Sequence, residues 1–94
     1  MTPLPDVRRG LPDLDWRRAM DCDLDFARDL TCVNMLRYYI QHDLVWLDEA
    51  FDVAWSGRES WLIVRADVVV GFFSLSRDAR ALYIRELQIA ETFQ

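Results

Sequence analysis

Glu86 is the residue that the order of side chains best equips for chemistry. It stands in the run LYIRELQI, which leads into the polar segment AETFQ. The alternation of that run reads as a strand with Glu86 on the face of Leu82 and Ile84, opposite Tyr83 and Arg85. A carboxylate among apolar neighbours can accept a proton from a bound group, directly or through a water, if partial burial raises its pKa. An ion pair or a solvated strand end accounts for the same residue. Tyr38, Tyr39 and Trp46 bring aromatic surface to the junction of two helices, and suit either the wall of an acceptor pocket or ordinary core and rim packing. His42 falls in a polar loop and reads as a surface residue. Cys22 and Cys32 on one helix would lie about 15 Å apart, too far for a disulfide, and read as buried thiols. Two cysteines and one histidine without ligand spacing form no metal site.

The elements that must position these residues follow from period and punctuation. Residues 1–14 hold all three prolines and read as an extended tail, with a short strand at Asp15–Met20 anchored by Trp16. Asp21 is a candidate cap for a first helix running to about Tyr39, with Asp23 and Asp25 favoured by the dipole of its first turn. Phe26, Leu30, Val33, Leu36 and Ile40 form one helical stripe and are its expected core face. A second helix is expected over Asp48–Trp55, ended by Gly57 in the left-handed conformation. The period then becomes two. Ser60–Arg65, Val68–Ser76 and Arg80–Ala90 read as strands joined by tight turns, with Gly71 as a bulge or a point of close packing. The order β-α-α-β-β-β predicts an α+β fold, two helices packed on a mainly antiparallel sheet.

Composition narrows the function classes. A chain of 94 residues that is 52% apolar has material for one core. Its net charge is −5, and all 11 basic residues are arginine. An acidic domain without a basic stripe argues against nucleic acid as the main partner. No apolar run reaches the ~20 residues of a membrane span, and no signal-peptide pattern opens the chain, so a cytoplasmic protein is the expectation.

Three segments together resemble the N-terminal half of the GNAT superfamily of N-acetyltransferases. WRRAMDCDLDF is similar to the family's opening strand and helix start. Asn34 to Trp46, NMLRYYIQHDLVW, resembles a helix and loop that wall the acceptor pocket in one bacterial branch. VVVGFFSL followed by LYIRELQIAETFQ carries the most specific likeness, in the order of strand, glycine and following strand. Glu91 stands where family members usually carry proline.

The resemblance implies acetyl transfer from acetyl-CoA to a small amine. With it, Glu86 becomes the candidate general base, and Tyr38, Tyr39 and Trp46 are candidates to line the acceptor pocket. The main chain of Leu87, Gln88 and Ile89 would pair with the pantetheine arm of the cofactor. It also implies that residues 15–94 form a partial domain, with Gln94 opening the glycine-rich pyrophosphate loop. The three glycines, Gly10, Gly57 and Gly71, form no such loop. The expected consequence is inactivity alone, and an open edge on the strand Arg80–Ala90 that invites a homodimer or a complementing C-terminal half. A non-catalytic interaction module using that edge is the alternative, and an unrelated small α+β binding protein is a third.

Overall fold

The computed structural model describes residues 14–94. The expected tail lies almost wholly outside them, although Leu14 already belongs to the first strand. The order is β1 (Leu14–Arg18), a 3-10 turn (Asp21–Asp23), α1 (Leu24–Gln41), α2 (Asp48–Ser56), β2 (Glu59–Arg65), β3 (Val68–Arg77), β4 (Leu82–Ile89) and a second 3-10 turn (Glu91–Phe93). The four strands pair antiparallel in the order β1-β2-β3-β4. The α+β class and its element order stand as the sequence predicts.

Local chemistry explains the joints. Asp23, rather than Asp21, organises the start of α1. Its carboxylate accepts the Met20 N–H at 2.8 Å and pairs with Arg17 at 3.2 Å. Burial disfavours its charge, but the Met20 N–H and the Arg17 guanidinium outweigh that and hold its pKa below the ordinary value. Gly57 does not take the expected left-handed cap: its φ is −94°, because the chain turns straight from α2 into β2. The left-handed residues are Asp43, after α1, and the pair Ala66-Asp67 between β2 and β3. At the β3–β4 turn the Asp78 carboxylate accepts the Arg80 and Ala81 N–H groups at 2.7 and 3.0 Å. Those two bonds hold the pKa of Asp78 down.

The helices cover one face of the sheet. Leu62 and Phe72, paired across β2 and β3, meet Ala27 of α1, with Phe51 and Trp55 of α2 against the Phe72 ring at 6.4 and 5.8 Å. Fully burying side chains of this size stabilises by about 1.5–3 kcal/mol each. Ser60 and Ser74 sit on the same face, buried, and satisfy each other at 2.7 Å.

The expected core stripe of α1 is displaced. Ala27, Leu30 and Thr31 turn inward, while Val33 and Ile40 are each 69% exposed and Leu36 is 53% exposed. Small residues let the helix approach the sheet closely, so the inward face is not the most apolar one.

Two bulges set the register. Ile63 pairs with Gly71 and Val64 with Val69, leaving Val70 extra on β3. Ser74 pairs with Glu86 and Leu75 with Ile84, leaving Arg85 extra on β4. Gly71 is also the expected close-packing point: a Cβ there would overlap the Gln88 carbonyl and come within 2.8 Å of the Ile89 side chain.

Candidate functional site

The bulge at Arg85 decides what Glu86 faces. Directly opposed residues share a sheet face, and Ser74 and Leu75 point to opposite faces. Glu86, opposite Ser74, therefore lies on the helix side, while Ile84, opposite Leu75, lies on the other. Simple alternation, which groups Glu86 with Leu82 and Ile84, fails because one extra residue reverses the count. Tyr83, opposite Ser76, shares the face of Glu86, but its hydroxyl is engaged by Asp78 at 3.2 Å.

On the helix side Glu86 lines a cavity of about 300 Å³ between the sheet, α1, the 42–47 loop and α2. Tyr39 and Trp46 line it too, with rings 5.6 Å apart in an edge-to-face arrangement. The indole of Trp46 is tethered to the Asp48 carboxylate at 2.6 Å and packs near Phe51, so this wall is held from two sides. Tyr38 is not brought in. It is exposed, and its ring lies 4.4 Å from that of His42, which is exposed as expected.

Glu86 forms no ion pair among the described residues, which removes one of the two structural roles considered for it. Its side-chain partner is Gln88, whose Nε2 donates to Oε1 at 2.7 Å. Asn34 Nδ2 donates to Gln88 Oε1 at 3.0 Å and to the Ile89 carbonyl at 2.9 Å. A carboxylate can only accept and an amide must donate from nitrogen, so the chain Asn34–Gln88–Glu86 has one consistent direction. It aims a donor at Glu86 and fixes the carboxylate at the cavity. Sequence reasoning missed Asn34, the side chain of Gln88, and Arg58, which lines the cavity opposite Glu86. A polar residue amid the apolar positions of α1 was the available signal for Asn34.

β4 is one of the two edge strands of the sheet among the described residues, β1 being the other. Ala90 N–H donates inward to the Val70 carbonyl at 2.8 Å, so by alternation the main chain of Gln88 turns toward β3 and that of Leu87 and Ile89 toward the edge. The Ile89 carbonyl is capped there by Asn34 and by Gln94 Nε2 at 2.8 Å. Of the three main-chain positions implied for the cofactor, two face outward.

Comparison with family models, curated proteins and solved structures gave no match.

The described residues fit acetyl-CoA only in part. An amide-bearing arm suits the edge at Leu87. An anion cradle needs free N–H groups at a helix N-terminus, and here both are acidic: Asp23 and Asp25 at α1, Asp48 and Glu49 at α2. A pyrophosphate has no place among them. Nor does any group of metal-ligating side chains occur among the described residues, and no described helix is long and apolar enough to cross a membrane. Both cysteines are free, and Cys22, expected to be buried, is exposed on the 3-10 turn.

Proposed function

We propose that this chain supplies the acceptor half of an acetyl-CoA-dependent N-acetyltransferase domain. The observation that carries it is the convergence of Glu86, Tyr39 and Trp46 on one cavity beside the open edge of β4. Glu86 accepts the proton of the amine seated in the cavity, a task for a carboxylate held by a single amide donor and not neutralised by an arginine. Tyr39, Trp46 and Phe51 exclude water on the helix side and hold the amine toward β4. Leu87 at the edge presents main-chain groups to an amide arm, while the Ile89 carbonyl beside it is taken up by Asn34 and Gln94. Acetyl-CoA would supply the activated acyl group, and its pyrophosphate would be bound by residues other than those described.

The test uses the chain completed by a supplied C-terminal half carrying the glycine-rich loop. Glu86→Gln is expected to lower the acetylation rate at neutral pH by about 10²-fold or more, the scale of general-base assistance. Affinity for acetyl-CoA should change little. An unchanged pH–rate profile would remove Glu86 from the mechanism.

A second reading is favoured by a separate observation. Val33, Leu36 and Ile40 of α1 are uncovered, and Ile84 and Leu87 are exposed on the edge strand. Unpaired main chain flanked by apolar side chains is a template for strand addition. In this alternative the domain is a non-catalytic interaction module that pairs through β4.

A further inference from the structure

The cavity holds a second charge that the acetyl-transfer chemistry leaves unused. Arg58 lines it together with Glu86. The residue is half-buried, and its side chain has no ion pair or hydrogen bond among the described residues, in a chain with 16 acidic side chains. Arg77 of β3 and Arg28 of α1 show the contrast. Arg77 reaches Glu59 at 3.3 Å, and Arg28 bridges Asp25 and Asp52 at 2.9 and 3.2 Å. A half-buried cation without a partner is costly unless an anion completes it.

The register places Glu86 and Arg58 at separate positions of the lining. Glu86 opposes Ser74 and Ser74 opposes Ser60, which lies two residues beyond Arg58. Two strand spacings, about 9–10 Å, separate the backbones of Glu86 and Ser60, and Arg58 stands two residues farther along, just before β2, so the two charged residues enter the lining from well-separated positions. Tyr39, Trp46, Met35 and Phe51 line the same cavity. A volume of about 300 Å³ is at the small end of ligand sites.

We propose that this cavity binds a zwitterion, an amino acid with an apolar or aromatic side chain. Its ammonium meets Glu86, its carboxylate meets Arg58, and its side chain lies on the aromatic wall. This rests on the acceptor-site reading above, and names its substrate class as α-amino acids rather than amines in general.

Binding is measured on the chain alone, without acetyl-CoA, by quenching of tryptophan fluorescence and by calorimetry. The probes are L-leucine, L-methionine, L-phenylalanine and L-tryptophan, their carboxamides, and 3-phenylpropionate. The zwitterion of at least one side chain should bind tenfold or more tighter than its amide, and L-phenylalanine tighter than 3-phenylpropionate. Arg58→Gln should remove the preference over the amide, and Arg58→Lys should restore part of it. Glu86→Gln should remove the preference over 3-phenylpropionate. Equal affinity for zwitterion, amide and acid, or no binding by any of them, overturns the proposal. Selective binding without acetyl transfer in the completed domain would leave this site standing and defeat the catalytic reading. Transfer to amines regardless of a carboxylate would do the reverse.

Discussion

At the scale of single residues, the molecule depends on contacts that residue type alone does not announce. Gly71 is one. A Cβ there meets the β4 backbone, so Gly71→Ala must push β4 away or strain it. Overpacking of this kind costs about 1–3 kcal/mol. Urea unfolding should show that loss, and an unchanged midpoint would mean that β4 moves freely. Glu59 is another. Hydrogen bonding from the Trp61 indole, then the Arg77 and Arg18 guanidiniums, hold its carboxyl below the ordinary value of 4.5 against the opposing effect of burial. A depressed folded pKa gives stability that is complete above about pH 4.5 and is lost as pH falls through the folded value. Urea midpoints should therefore drop between pH 5 and pH 3, and drop less in Glu59→Gln. Equal drops in both would remove Glu59 as a source of acid sensitivity. The face of Glu86 was not legible in the sequence for a related reason: the extra residue Arg85 carries no signature of a bulge.

At the scale of elements, the order and type of the helices and strands were legible because the hydrophobic period changes from helical to two near Glu59, and because Gly57, Ala66-Asp67 and Arg77–Ala79 punctuate it. The inward face of α1 was not. Its apolar stripe exists, but Ala27 and Thr31 permit the closer approach, and packing distance overrode hydrophobicity. Backbone strain also escaped notice at Ala66 and Asp67, whose φ values are 49° and 67°. A two-residue hairpin of this geometry favours Asn-Gly, and a left-handed non-glycine residue costs about 1–2 kcal/mol. Replacing the pair, Ala66→Asn with Asp67→Gly, should stabilise by about 1 kcal/mol and raise Tm by about 4–8 °C. A lowered Tm would contradict the turn geometry. For α1, Val33→Glu with Ile40→Glu should leave Tm within a few degrees, since surface substitutions usually stay within about 0.5 kcal/mol. The same pair should abolish any self-association seen by light scattering. A large fall in Tm would mean that these side chains are covered.

At the scale of the whole molecule, a four-stranded sheet covered by helices on one face carries a cavity on its covered side and, among the described residues, an open outer edge on β4. The cavity gathers Glu86, Arg58 and three aromatic rings, and the edge offers main chain to an extended ligand or a strand. The described residues contain the features proposed above for an acceptor site and no cradle for a pyrophosphate. Calorimetric titration with acetyl-CoA tests that division most directly, performed on the chain alone and then with a supplied C-terminal half bearing a glycine-rich loop. Heat of binding only in the second titration is the predicted result. Binding by the chain alone, or by neither, would contradict the proposal that it supplies the acceptor half of a divided acetyltransferase site.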